Sequence, residues 1–510
     1  MKQRLFNFSV FVVLLSLTGC VSSTGKVAYV RARLRSGDDA AALVWAEEKK
    51  NSVYSKPLGF LETGRIRMLS GDFQGSVTNF SVTIESTIQE TDEGPVIKLG
   101  DVGADVMAGT ITDDRTRPYN LPAYEFIQAL NYQMLNYIFL EDISSAGVEA
   151  RRAVFAQDAI AEKYAEEVEK QKLKDEELAD DNEEKNAGKS VVTTEDEDAS
   201  IARVNQELER MAPVLEKSRC SYENGLVWYL CGVILEEQDD ISNAALCYRK
   251  ANELAPHNPY IRRDFLRMLA TQDQVAYQSL MKQYKLHPED VMCAPAEVII
   301  VFEESFVPQR KSIKVPLPVG GTLTSVDIPF YEEGPHNPIS FEISCNGKVL
   351  GGGAEAVNVQ SLAYHDLKEK MPGVVLRNVT RIGTRIAAQQ VANHSGSDAL
   401  KYGTLIFNSV STLINKSDTR AWYTLPAISY LTCHPVEPGK QTISLRNPAT
   451  GYTVNIPVVV SSGERRLIWI ADIEGCSRIG TASLDGKGAE PTFRIDDSLL
   501  TGPRMLNSEK

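Results

Sequence analysis

Residues 228–256 read WYLCGVILEEQDDISNAALCYRKANELAP. Trp228 and Leu235 fall on one face of a helix, and Gly232 lies between them, where a second helix can approach only if no side chain intervenes. Gln238-Asp239-Asp240 is a polar turn. Ala244, Tyr248 and Ala251 then mark one face of the returning helix, and Pro256 ends it, having no N–H to donate. The stretch therefore predicts an antiparallel helical hairpin closed by small-against-large packing.

The offsets of Trp228, Gly232, Leu235, Ala244, Tyr248, Ala251 and Pro256 resemble those of a tetratricopeptide repeat. Phe60, Gly64, Ser76 and Phe80 repeat the spacing of Trp228, Gly232, Ala244 and Tyr248, with Ser70-Gly71-Asp72 as the turn. Gly37-Asp38-Asp39 is a further turn signal, followed by a helix over 40–50. An apolar face over 127–138, the turn Glu141-Asp142 and the small residues of 146–153 predict another hairpin. Residues 91–120 read as a connecting loop.

The N-terminus has a different grammar. Lys2 and Arg4 precede an apolar stretch, Leu5 to Leu15, that is too short to span a membrane. Leu17-Thr18-Gly19-Cys20 resembles a bacterial lipobox, with residues 1–19 as signal peptide and Cys20 as the lipidation site. Acyl chains and diacylglycerol would anchor the mature chain, each buried CH₂ contributing roughly 0.8 kcal/mol. Val21-Ser22, with no aspartate after the cysteine, implies the outer membrane, facing the periplasm.

The net charge of −14 argues against a nucleic-acid partner, because phosphate contact needs a basic face. Residues 161–200 hold fifteen Asp/Glu against six Lys/Arg and few apolar side chains. They begin as a helix extension and then read as an exposed, largely disordered acidic insertion. Helical hairpins resume over 201–290.

From Pro295 the pattern turns to β-branched runs between Gly- and Pro-rich turns. Strands are predicted over 296–302, 313–319, 322–330, 339–346, 427–433, 441–446, 452–460 and 466–473. A helical insertion, 354–414, interrupts them: helices over 354–370 and 374–392, broken at Pro372-Gly373, then Tyr402–Leu413. The tail, 479–510, carries no core signal and reads as loose. The expected fold is thus a multidomain α + β chain: an all-α tetratricopeptide-like helical hairpin solenoid, residues 20–160 and 201–290, followed by a β-sandwich-like domain with inserted helices, residues 295–478.

Arg377, Arg381 and Arg385, at i, i+4 and i+8, form one basic stripe along a helix. It can receive an anionic partner surface or a phospholipid head group, or pair within the chain with Glu297, Glu303 or Glu304. Asp418, Arg420 and Trp422 are the tightest polar–aromatic cluster. They form either a ligand pocket on Arg420 and Trp422 or an Asp–Arg pair with Trp packed beside it, pinning helix to sheet. Cys231 with Cys247, and Cys433 with Cys476, are candidate disulfides or small buried apolar residues. No metal-ligand spacing, cofactor loop, nucleophile elbow or paired carboxylates occur, so neither a metal nor a cofactor is expected.

The segments 129–132 (ALNY), 148–152 (VEARR) and 418–426 (DTRAWYTLP) resemble those of a family of uncharacterised bacterial outer-membrane lipoproteins, with tetratricopeptide-like helices before a β-rich domain. The resemblance covers most of the mature chain except the acidic insertion. It implies a place in cell-envelope or peptidoglycan assembly and supplies no catalytic residues. The expected function is a non-catalytic scaffold: a lipid-anchored chain whose repeats bind a periplasmic or outer-membrane protein in their concave groove. The alternative is a cell-wall or carbohydrate-binding lipoprotein that stacks sugars on Trp422, Tyr423, Tyr452 and Trp469. A cell-wall hydrolase is a third and weaker expectation.

Overall fold

The structure, a computed structural model, describes residues 23–502 apart from 92–93, 100–116, 182–193, 292–293, 320–321, 332–333 and 395–416. Helices dominate the first part of the chain and β-sheets the second. The signal segment and Cys20 lie outside the described residues.

The helices come as hairpins: α1 (Ser23–Arg35) with α2 (Asp39–Lys50), α3 (Lys56–Leu69) with α4 (Phe73–Thr87), and α5 (Ala123–Phe139) with α6 (Ile143–Asp181). Further on come α8 (Gly225–Glu237) with α9 (Ile241–Leu254), and α10 (Pro259–Gln272) with α11 (Gln274–Tyr284). One turn is used four times. Gly37, Gly71, Glu141 and Asp239 all have positive φ, and the residue after each donates its N–H to a carbonyl five residues back, at 2.9 Å in every case. This is the Schellman closure of a helix end. The next residue in each turn is an aspartate. Asp38, Asp72 and Asp142 accept the N–H three residues on, which caps the following helix.

Within two hairpins a glycine faces an aromatic ring. A Cβ on Gly64 would come within 2.8 Å of the Phe80 ring, and one on Gly232 within 3.2 Å of Tyr248. The two residues that the sequence put at equivalent positions thus do the same work. Successive hairpins stack through α4 on α5, α6 on α8 and α9 on α10.

The sheets follow. A six-stranded sheet runs β14 (Thr492–Asp497), β13 (Cys476–Ser483), β12 (Arg465–Asp472), β3 (Glu297–Glu304), β9 (Ile428–Pro435), β8 (Glu355–Asn358). Only β12 and β3 pair in parallel. A four-stranded sheet runs β11 (Thr453–Val460), β10 (Gly439–Arg446), β6 (Glu342–Cys345), β7 (Lys348–Gly352). Two hairpins stand apart, β1 (Ile88–Thr91) with β2 (Gly94–Ile97), and β4 (Arg310–Val319) with β5 (Thr322–Tyr331). Pro316 and Pro318 sit in the latter, whose β4 pairs with β5 alone, so their missing N–H groups break no larger sheet.

Alternation decides what each face of the large sheet meets. Val298, Ile300, Phe302, Ile468 and Ile470 share a buried cluster with Ile343, Ile443 and Ile456 of the small sheet. The neighbours Ile299, Val301, Leu467, Trp469 and Ala471 belong instead to the cluster built by the helices. That cluster extends from Val27 to Leu484, so the apolar core does not break at the expected boundary near residue 295.

Three expectations need correction. The described part of the tail, residues 479–502, is not loose: β13 reaches Ser483, β14 forms the sheet edge, and Leu484 and Leu499 are buried. The buried Asp472 carboxylate accepts from Ser498 Oγ (2.6 Å) and the Leu500 N–H (3.2 Å), an anchor from a distant strand that no local pattern announces. Among its described residues the acidic insertion is helical beyond the expected extension, since α6 continues unbroken to Asp181 and α7 (Thr194–Leu208) begins within it. Its Ala, Glu, Lys and Leu are strong helix formers whatever their net charge. Pro372 does not divide two helices but lies inside one, α12 (Val359–His394), and residues 355–358 are strand because they complete the edge beside β9. The predicted helix over 402–413 lies outside the described residues. Of the two readings open for Cys231, Cys247, Cys433 and Cys476, the structure has the second: all four are buried free thiols.

Gly64→Val is expected to destabilise the protein by about 2 kcal/mol, because the Phe80 ring has no room to retreat from an added branch in a close-packed core. Gly334→Val, whose Cβ would meet nothing within 4 Å on a backbone without positive φ, serves as the comparison in urea unfolding.

Candidate functional site

The inner helices α3, α5, α8 and α10 are covered by the chain itself. Arg65 of α3 pairs with Glu303 of β3 at 2.5 Å, both almost wholly enclosed, and its guanidinium lies over the Tyr132 ring. Arg263 of α10 pairs with Glu297 (3.0 Å), and Arg465 of β12 reaches Glu236 and Glu237 of α8 (2.8 and 2.7 Å). Phe139 of α5 packs on Trp469. The groove expected to receive a partner is therefore filled by the six-stranded sheet.

The remaining stretch of that inner face is filled by residues 418–425, in the manner of a bound peptide. Glu62 accepts the Tyr423 N–H (2.9 Å) and the Thr424 hydroxyl (2.6 Å), and Glu125 accepts the Trp422 N–H (2.8 Å). Arg31 donates to the Tyr423 carbonyl (2.7 Å). The Trp422 ring is fully buried against Phe80 and Tyr132. Trp422 is thus a core residue and not a ligand platform, as is Trp469. Arg420 pairs with Asp418 (2.6 Å) and also donates to the Tyr54 and Arg117 carbonyls (2.5 and 3.0 Å). The Asp–Arg pinning expected from the sequence is present, but it ties the segment to the loops before α3 and α5.

Where this segment emerges, a cavity of about 620 Å³ opens, the range of small-ligand sites. Its wall carries Lys98, Arg117, Arg310, Lys370, Arg377 and Arg420 against one carboxylate, Asp418. Behind the wall, Asp366 takes Lys370 (2.6 Å) and Arg310 (3.5 Å). Arg310 is 8% exposed, and its Nε makes no hydrogen bond among the described residues. Among the described residues the wall thus gathers more cations than carboxylates.

Two residues singled out separately in the sequence, Arg377 and Arg420, thus meet in one wall. Arg381 and Arg385 lie on the same helix, α12, but their side chains are outside those described. Of the carboxylates named as partners for the stripe, Glu297 and Glu303 pair as above, and Glu304 is held by His336 (2.5 Å) and the Tyr430 hydroxyl (2.6 Å). Lys98, Arg117, Arg310 and Lys370 carried no local signal. Glu62 and Glu125 did, as lone carboxylates within otherwise apolar helix stretches. Among the described residues no cluster of His, Cys, Asp and Glu could hold a metal ion, and no helix is long and apolar enough to cross a membrane.

Burial pushes the Glu125 carboxyl up from its ordinary 4.5 to about 7, against the opposing hydrogen bonds from the Tyr119 hydroxyl and the Trp422 N–H. A carboxyl with a raised folded-state pKa stabilises fully below its unfolded value and less as pH rises through the folded one. Glu125 should therefore cost the fold about 3 kcal/mol between pH 4.5 and pH 7. Glu125→Gln is expected to remove that slope. Urea unfolding at pH 5 and pH 8 checks it: the variant should gain on the parent chain at pH 8, and a pH-independent difference would exclude Glu125 as the group.

Comparison of the chain with protein-family models, curated proteins and solved structures finds no match.

Proposed function

We propose that the chain is a non-catalytic binding protein of the bacterial cell envelope that holds a small anionic ligand in the basic cavity. In this reading it is lipid-anchored at Cys20 to the outer membrane and faces the periplasm. The hairpins are tetratricopeptide-like, which the 34 residues between Gly37 and Gly71 support. The two sheets that share an apolar cluster are read as β-sandwich-like.

One observation carries the functional reading: six cations line a single cavity of a chain whose net charge is −14. Lysine and arginine brought together against an acidic background cost mutual repulsion, which an anionic ligand relieves. A periplasmic or outer-membrane protein partner would have to use the outer helices, since the inner ones hold the sheet. The carbohydrate-binding alternative loses its main platforms, because Trp422 and Trp469 are enclosed and cannot stack on a sugar.

Thermal unfolding of the full chain in inorganic phosphate, against chloride at equal ionic strength, tests this. A saturable rise in Tm is expected, as for any ligand that binds only the folded state. The double variant Lys98→Glu/Arg377→Glu should weaken phosphate at least tenfold. No saturable rise, or an equal rise in the double variant, would overturn the reading.

A further inference from the structure

The hairpin of α1 and α2 has two unlike ends. At the turn between its helices it is docked on the rest of the chain: Arg35 pairs with Glu474 (2.9 Å), and a Cβ on Gly475 would fall 2.6 Å from the Arg35 carbonyl oxygen. At the opposite end the close of α2 lies beside the start of α1, where Lys26 is near enough to Lys49 for their charges to repel. The loop that leaves α2 there carries Val53, 83% exposed, and Tyr54, 44% exposed. No other large apolar side chain among the described residues is as open as Val53. The backbone beneath is fixed. Ser55 donates its N–H to the Ser52 carbonyl (3.2 Å), and the Tyr54 carbonyl accepts from the Tyr119 N–H (2.8 Å) and from Arg420 (2.5 Å). A rigid turn thus holds apolar side chains in water, which costs free energy unless something covers them.

Chain length names the cover. Only Val21 and Ser22 separate Cys20 from α1, and three Cα steps of about 3.8 Å keep the cysteine within roughly 11 Å of Ser23. An acyl anchor on Cys20 therefore brings this end of the hairpin to the bilayer. We infer that the α1–α2 hairpin stands end-on against the phospholipid bilayer, with Val53 and the Tyr54 ring in the lipid interface. The inference rests on the lipid-anchor reading above and adds the surface that meets the membrane. Tyrosine suits that depth, having an apolar body and a polar tip. Exposed charge there is mixed, Lys26 and Lys56 with Glu48, while Lys50 pairs with Glu47 and Lys49 lies over the Trp45 ring at 4.0 Å. The contact is therefore apolar rather than ionic. A hairpin laid flat would instead press charge into lipid: the exposed Val44 shares its helix face with Glu48, and Arg33 of α1 pairs with Asp38 in the open. Val44 lies six residues before the end of α2, about 9 Å back along the axis, so end-on contact leaves it in water.

Nitroxide labels read this depth directly. The mature chain, with Cys220→Ser and Cys345→Ser removing its half-buried thiols, takes a label at Val53→Cys, Val44→Cys or Val275→Cys and is reconstituted into phosphatidylcholine vesicles. Val275, 82% exposed on α11, matches Val53 in openness but not in place. Collisions with dissolved oxygen, relative to a water-soluble nickel chelate, should be several-fold more frequent at position 53 than at 44 or 275. The ratio should not change when phosphatidylglycerol is mixed in. Mass spectrometry of the same preparation reports the acyl chains on Cys20. Each labelled chain is held to the Tm of the parent, and Tyr54→Cys replaces Val53→Cys should that label lower it, with the same outcome expected. An acylated chain with a water-like label at position 53 would overturn the docking while the anchor stands, and would assign the tip to a protein partner. Equal immersion at 53 and 44, or immersion that requires phosphatidylglycerol, would overturn the end-on apolar contact as well. An unacylated Cys20 would overturn the anchor and the docking together.

Discussion

Four arginine–carboxylate pairings cross the boundary between helices and sheet: Arg65–Glu303, Arg263–Glu297, Arg465 with Glu236 and Glu237, and Arg478–Asp39. Burying such charges costs several kcal/mol per ion, and their mutual attraction offsets this only when both partners are in place. Removing one partner leaves an uncompensated buried charge, at about 3–5 kcal/mol. Their net contribution to stability is therefore small, while the penalty for a misaligned sheet is large. Apolar contacts alone would let the sheet slide along the stacked helices. The pairings admit one register.

The same constraint explains why the inner face of the hairpin stack is closed. Glu62, Glu125, Arg31 and Arg65 all point at backbone groups of residues 422–424, which turn between them. Side chains that hold main-chain amides and carbonyls are what a groove uses to take an unstructured peptide of loose sequence. Here the chain supplies that peptide itself. What is left for recognition is the place where the segment enters, and there the charge collects.

Much of the fold was legible and most of the site was not, for the same reason. Gly64 with Phe80, and Gly232 with Tyr248, are sixteen residues apart, so close packing leaves a trace at fixed spacing. The turns repeat because each must reverse a helix with one positive φ followed by an aspartate, which in three of the four caps the next helix. Docking the sheet leaves no such trace: Arg478 and Asp39 are 439 residues apart, and neither is unusual among its neighbours. The basic cavity is drawn from positions as distant as Lys98 and Arg420, and Lys98, Arg117, Arg310 and Lys370 each read as an ordinary surface charge. Arg377 and Arg420 drew notice through their local settings, a helical stripe and an aromatic cluster, but nothing in those settings placed them in one wall. The tail was misread because its anchor, Asp472, belongs to a strand that had already been counted as complete.

The link from Arg478 to Asp39 also sets an order of events in the making of the molecule. Arg478 donates to the Leu34 and Leu69 carbonyls as well, so the ends of α1 and α3 are finished by a residue close to the other end of the chain. A polypeptide synthesised from its N-terminus therefore carries the sheet-facing side of these helices bare, with Phe139 and the Arg65 guanidinium unmatched, until nearly the whole sequence has emerged. Contacts of such long range close slowly, and exposed apolar surface invites aggregation meanwhile. This architecture calls for an escort during biogenesis, and it makes a truncated product worthless even when every helix is encoded.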